Sequence, residues 1–312
     1  VILAAALLLQ AVSAGDYLTL RNQRLEAAVS PKHGGELASL RVRFRGRWIE
    51  TLYRALDYSA TPGWTGKAPL LWPATGRNSA GGADSYRHNG RRYQMPIHGF
   101  ARNFPWKIEA HGEMSAAVSF EDTAETRKMY PFGFRLTVEY KLTGSALHAA
   151  YTVRAKDALF FSIGNHITFK TPLVDGSDPE QMTFETPSSI EYLKDSGNLP
   201  TGERQPRSFA KPVRLGDFKA VPAISLGGYA GDPWMRLTDP AGLSLHLSHR
   251  ADSLPAPPVL QFNIWGDAKA GYFSPEPWVG IQNSLNLRQG LVILPAGATW
   301  KWTFTVTASG SD

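Results

Sequence analysis

Three side chains in this sequence could move protons: a glutamate and two histidines, each in a local context that a solvated loop does not require. Glu276 stands in Ser274-Pro275-Glu276-Pro277-Trp278. The prolines hold it extended, since proline fixes its own φ and keeps the preceding residue out of the helical region. A carboxyl group beside a tryptophan in a partly dry pocket would have a raised pKa, suited to a general base; a rigid surface turn is the competing reading. His98 lies in Met95-Pro96-Ile97-His98-Gly99-Phe100-Ala101-Arg102, and His166 follows the apolar strand end Phe160-Phe161-Ser162-Ile163-Gly164-Asn165. Either histidine could equally be a buried residue that holds its neighbours by hydrogen bonds.

The other six histidines carry less. His148 and His246 share the polar parity of their strands, and His88, His111 and His249 lie in polar, turn-like stretches, so all five read as surface or incidental positions. His33, before Gly34-Gly35, reads as a structural turn residue. Metal binding is not indicated: there is no His-x-x-x-His pair, no cysteine and no Asp-rich calcium loop. A cofactor is not indicated either.

The elements that would hold these residues are strands. Apolar and polar residues alternate through Ala38–Arg45, Phe134–Leu142, Gly242–Leu247 and Thr299–Val306. Gly144-Ser145 joins the second of these to Leu147, Ala149, Tyr151 and Val153, which read as the return strand of a hairpin. No long stretch after the first residues has helical periodicity. The expectation is an all-β protein of antiparallel sheets packed as a sandwich, with one domain over residues 15–312. Residues 57–95 and 172–222, rich in Gly, Pro, Ser and Asp, read as long functional loops over the sheets.

Hydrophobic residues make up 43% and charged residues 19%, a globular balance. The 33 basic and 27 acidic residues leave a net charge of +6 without any run of five or six like charges, so nucleic acid is a poor partner. An Arg-rich solvated surface is the plain reading, and a mild preference for acidic glycans or sugar phosphates is the other. Residues 1–14 form an apolar run closing on Val12-Ser13-Ala14, with the small residues a signal peptidase prefers. This predicts a signal peptide and export to a periplasmic or extracellular compartment, with no stable membrane insertion after its removal.

Four blocks, LLWPATGR (70–77), MPIHGFAR (95–102), SIGNHITF (162–169) and FSPEPWVG (273–280), occur in that order over about two-thirds of the chain. Together they resemble the aldose 1-epimerase (galactose mutarotase-like) family, in the branch that includes the LacX-type proteins. The resemblance implies a large antiparallel β-supersandwich with a sugar cleft across one sheet. It also implies that Glu276 is the base at the anomeric hydroxyl and His166 the acid at the ring oxygen. His98 would support that transfer, and Arg77 would orient sugar hydroxyls. Trp265, Trp72 and Trp278 are expected to shape the cleft, and Arg102 to pair with a carbonyl or carboxylate beneath it. The partner would be a small sugar.

Two positions depart from the family. Ile167 stands where a proline usually follows the histidine, and Ser274-Pro275 replaces the usual pair before the glutamate. The sugar-binding aspartate of galactose mutarotases has no evident counterpart, Asp239 and Asp267 being weak candidates. A non-catalytic carbohydrate-binding protein on the same fold is the alternative function, and a polysaccharide-cleaving enzyme, which would need two flanking carboxylates, is a third.

Overall fold

The computed structural model describes residues 16–253 and 256–310; the predicted signal peptide, residues 1–14, lies outside them. Among the described residues nearly all regular structure is β, with two four-residue α-helices, Thr126–Met129 and Ser284–Leu287, and three short 3-10 turns. A nine-stranded antiparallel sheet runs through its centre as Trp234–Thr238, Ser244–Ala251, Thr299–Ser309, Ala146–Ala155, Phe134–Thr143 and Ser115–Glu121. A second sheet is ordered Pro200–Pro206, Ile190–Lys194, Ala220–Gly227, Leu260–Asp267, Tyr272–Val279, Ile163–Asn165, Leu70–Leu71. A smaller four-stranded sheet is built from residues 18–50.

The alternation in the sequence is the burial pattern of the first sheet. In Phe134–Thr143 the even residues are buried and the odd ones are not, and in Thr299–Ser309 Trp300, Trp302, Phe304, Val306 and Ala308 face inward. The predicted hairpin is present, with Leu142 opposite Leu147 and Gly144 at φ +57° in its turn. The two large sheets stack through this apolar face: Phe184 of the first meets Phe273 of the second at 5.4 Å, and Tyr151 accepts a hydrogen bond from Asn165 across the gap.

Two sequence expectations need correction here. Residues 57–95 and 172–222 are not draped loops throughout. The first holds Ala83–His88 paired with Arg91–Gln94, and the second supplies four strands to the two large sheets. Those strands are short, or lie at sheet edges with little burial; Pro200–Pro206 is exposed along almost its whole length. An edge strand without a dry face has no alternation to read. His249 is the second correction: it is 2% exposed, sharing the core parity of Leu245 and Leu247, with its Nδ1 accepting from the Trp302 indole at 3.2 Å.

Candidate active site

Glu276 sits in the middle of Tyr272–Val279. On one side this strand pairs with Leu260–Asp267 along its whole length. On the other side it pairs only at its ends, Tyr272 and Phe273 with Lys170 and Phe169, Trp278 and Val279 with Gly164 and Ile163. Pro275 and Pro277, two residues apart, each lack a ladder N–H on the same side of the strand, which suits that interruption. Into the gap goes the segment His166–Thr168, pinned by a 2.7 Å hydrogen bond between the Thr168 and Ser274 hydroxyls. Ser274, one of the family departures, thus anchors the histidine segment.

The consequence is that His166 Nε2 lies 3.5 Å from Glu276 Oε1, with both residues almost fully buried. Asn263 donates to Oε1 and the Trp278 indole N–H to Oε2, both at 3.0 Å. The Asn263 carbonyl oxygen itself accepts from Ser225 at 3.0 Å, and from Lys194 and Gln282 at longer range, which fixes the amide with its NH₂ toward the carboxylate. Burial drives the Glu276 pKa up to about 8 against those hydrogen bonds and the Lys194 charge. Burial also drives His166 down to about 3. Between these limits the pair keeps one proton, resting on the carboxyl.

His98 is built differently. The LLWPATGR and MPIHGFAR blocks lie side by side: the Trp72 carbonyl accepts from Phe100 N–H at 2.8 Å, and His98 N–H donates to the Gly76 carbonyl at 3.0 Å. Gly76 N–H returns a bond to His98 Nδ1 at 3.0 Å, so the imidazole proton is on Nε2. Burial, His166 and Arg102 hold the His98 pKa well below its ordinary value, so the ring is a neutral hydrogen-bond donor. The loop carries two successive left-handed residues, His98 at φ +66° and Gly99 at +68°. Arg102 ties them down by donating to the carbonyls of Ile97, His98 and Gly99 at 2.9–3.1 Å, the role expected of it.

A Cβ on Gly99 would stand 2.0 Å from the Trp72 carbonyl oxygen. The Gly99→Ala protein is therefore expected to lose about 3 kcal/mol or more of stability, from a backbone clash added to left-handed strain. Thermal unfolding checks this; an unchanged melting temperature would mean that the loop is not anchored as described.

These residues line a cleft of about 330 Å³, a size suited to a small ligand, together with Arg77, Trp265 and Trp278. Trp265 stands with its ring 5.7 Å from His166. Arg77 is half-exposed and ion-paired with Asp84 at 3.0 Å. Trp72 does not reach the cleft: it is fully buried against Tyr130, Phe134 and Phe161. Its closeness to Arg77 in sequence misleads, because the strand Leu70–Leu71 leads it into the core. Trp278 does more than shape the wall, since it binds the carboxylate. Neither Asp239 nor Asp267 lines the cleft: buried Asp239 caps a loop through Val174, Ser177 and Ala241, and Asp267 accepts from Lys269 N–H in a turn. Sequence reasoning also missed Trp64, whose ring lies 5.4 Å from His98, along with Asn263 and the turn Ser196–Asn198 at the cleft mouth. Trp64, the turn and Lys194 fall in the two stretches flagged as functional; nothing local marked Asn263.

The chain resembles known proteins in sequence and in fold. The sequence profile of the aldose 1-epimerase family matches residues 16–222. The chromosomal LacX protein of Lactococcus lactis subsp. lactis is 29% identical over 177 residues, which are 54% of each chain. The match thus spans about half the length of that curated relative. The structure of a galactose mutarotase related enzyme from Lactobacillus acidophilus superposes with a TM-score of 0.79 at 25% identity, covering 95% of this chain and 98% of that one. A galactose 1-epimerase from Lactobacillus acidophilus NCFM, at 16% identity and a TM-score of 0.72 over 94% of each chain, shares the fold. The profile match, covering more than half of the sequence, and the antiparallel supersandwich around one cleft establish that this chain belongs to the aldose 1-epimerase family.

Proposed function

We propose that the protein interconverts the α and β anomers of an aldose by acid–base ring opening. The observation that carries this reading is the buried Glu276–His166 pair, 3.5 Å apart, facing the same cleft as the His98 donor. In the reactive form the shared proton has crossed from Oε1 to Nε2, leaving a carboxylate and an imidazolium with no change in net charge. Glu276 then takes the proton of the anomeric hydroxyl as the C1–O1 bond gains carbonyl character. The C1–O5 bond breaks, and His166 delivers its proton to O5. His98 Nε2–H donates to the ring oxygen, and Arg77 and Trp265 hold the sugar. Rotation about C1–C2 and the reverse transfers close the ring on the other face.

A free aldose and its methyl glycoside test the reaction type. The ring-opening reading expects rapid anomer exchange of the aldose and an untouched glycoside, which has no anomeric hydroxyl to deprotonate. Hydrolysis of the glycoside would instead favour glycosidic bond cleavage. Binding of aldoses without faster exchange would favour a carbohydrate-binding protein.

The pair also sets a pH dependence. The reactive state needs one proton on Glu276 and His166 together, so kcat/KM should fall as pH rises through about 8, where Glu276 loses it. The Lys194 charge lowers the Glu276 pKa. In Lys194→Met the alkaline limb should therefore move to higher pH, and the plateau rate should drop as the carboxylate–imidazolium form becomes rarer. A limb that stays in place would separate Lys194 from the base.

A further inference from the structure

Away from the cleft, the basic residues are not evenly scattered. Six arginines fall between positions 21 and 47: Arg21, Arg24, Arg41, Arg43, Arg45 and Arg47. The strand Glu36–Phe44 turns Val42 and Phe44 into the core, so Arg41 and Arg43 point outward. A tight turn, Arg45 at φ +47° and Gly46 at +74°, returns the chain so that Trp48 stands opposite Arg43. Around the Trp48 ring stand the guanidinium groups of Arg21, Arg43 and Arg41, at 5.5, 5.5 and 5.8 Å from its centre.

Trp48 is also the wall shared by two surface cavities. One, of about 690 Å³, is bordered by Arg21, Arg24 and Arg43; the other, of about 490 Å³, by Arg45 and Arg47. Neither shares a residue with the catalytic cleft. The nearby acids offset part of the charge: Glu26 pairs with Arg21 and Arg41, Asp175 pairs with Lys170, and Glu113 borders the larger cavity. Without counting Arg24, Arg21, Arg41 and Arg43 stand against Glu26 and Glu113 beside the larger cavity, and Arg45 and Arg47 against Asp175, itself paired with Lys170, beside the other, so both remain basic.

We propose that the arginine-walled surface around Trp48 binds an acidic polysaccharide chain, with Trp48 stacked on one sugar ring and the arginines on the anionic groups of the sugars to either side. Guanidinium forks match carboxylate and sulfate geometry in bidentate fashion. An indole face meets the C–H face of a pyranose, and a ring already flanked by arginines offers both contacts to the same sugar unit. Two cavities on either side of one aromatic residue fit a chain that continues in both directions. Single-stranded nucleic acid is less well matched, because it calls for a series of stacking rings along a basic groove, and this surface has one.

The test is titration of the full protein with hexagalacturonate and a heparin-derived hexasaccharide, with maltohexaose and an oligonucleotide of matched charge as comparators. At least one acidic hexasaccharide should bind tenfold or more tighter than maltohexaose and tighter than the oligonucleotide, and its binding should weaken with added salt. Arg43→Gln/Arg47→Gln should weaken it at least tenfold and Trp48→Ala at least fivefold, while anomer exchange of an aldose that the wild type accelerates stays at the wild-type rate. Absence of binding to both acidic probes overturns the proposal. So does equal or tighter oligonucleotide binding, or acidic-glycan binding that neither variant weakens; the arginine variant removes no core contact and remains informative if Trp48→Ala folds poorly.

Discussion

Replacing Glu276 with glutamine is expected to slow anomer exchange by about 10³-fold, within the 10²–10⁴-fold range of a positioned general base. Glutamine has nearly the same shape, so the strand, with its prolines and its pairing to Leu260–Asp267, should be undisturbed. What disappears is the group that holds the pair's proton at rest and takes the anomeric proton in reaction. The effect should fall on kcat, with KM changed by a few fold, because the cleft walls remain. The part of the fall in rate near pH 8 that belongs to the carboxyl should vanish with it, leaving only what Lys194, which burial lowers to about 8, contributes in the same range. The wild-type and variant rates, each followed across pH by NMR with purified folded protein, check all three points. A variant within tenfold of wild type would remove Glu276 from the proton-transfer step.

The two histidines should answer one substitution differently. His166→Gln is expected to cost at least about 10²-fold, because an amide at the position of Nε2 still donates a hydrogen bond but passes no proton. His98→Gln keeps a donor facing the cleft, and the role assigned to His98 needs only that. It gives up the acceptor for Gly76 N–H and adds some left-handed strain. A loss of about tenfold is expected, the worth of one ordinary hydrogen bond. The assignment rests on tautomers: Nδ1 of His98 is occupied by a backbone donor, while Nε2 of His166 faces a carboxylate. Equal large losses in both variants would make His98 a proton-transfer partner. The check is the ratio of their exchange rates at pH 7.

Much of this site is legible in the sequence, for identifiable reasons. Pro275 and Pro277 announce an extended segment at Glu276, and the structure adds that its pairing is interrupted on one side, which admits His166. The need for Gly99 shows only in the structure, where a left-handed residue packed on the Trp72 carbonyl leaves no room for a side chain. Period-two alternation carried the central strands because each has one dry and one wet face. Where a strand is short or lies at an edge, as in Pro200–Pro206, alternation is lost and the segment reads as loop. His249 could have been placed by parity with Leu245 and Leu247, whereas its polar neighbours pointed the other way. Asn263 acts on Glu276 from the adjacent strand of the second sheet, and Lys194 reaches toward it from a strand two places further across that sheet, and sequence distance gives no sign of either. The same holds for the arginines around Trp48: Arg41 and Arg43 alternate along one strand and look like an ordinary solvated face, and only the fold brings Arg21 from another strand and Trp48 from the next one among them.

The most direct test is the α–β exchange rate at C1 of ¹³C-labelled aldoses, measured by exchange NMR at pH 7 with wild type and Glu276→Gln. The panel should include free hexoses, hexose 6-phosphates, hexuronates and a reducing oligosaccharide. The account predicts exchange of at least one aldose well above the buffer rate, reduced about 10³-fold in the variant. Wild-type exchange no faster than buffer across the panel, in a protein shown to be folded, would contradict it.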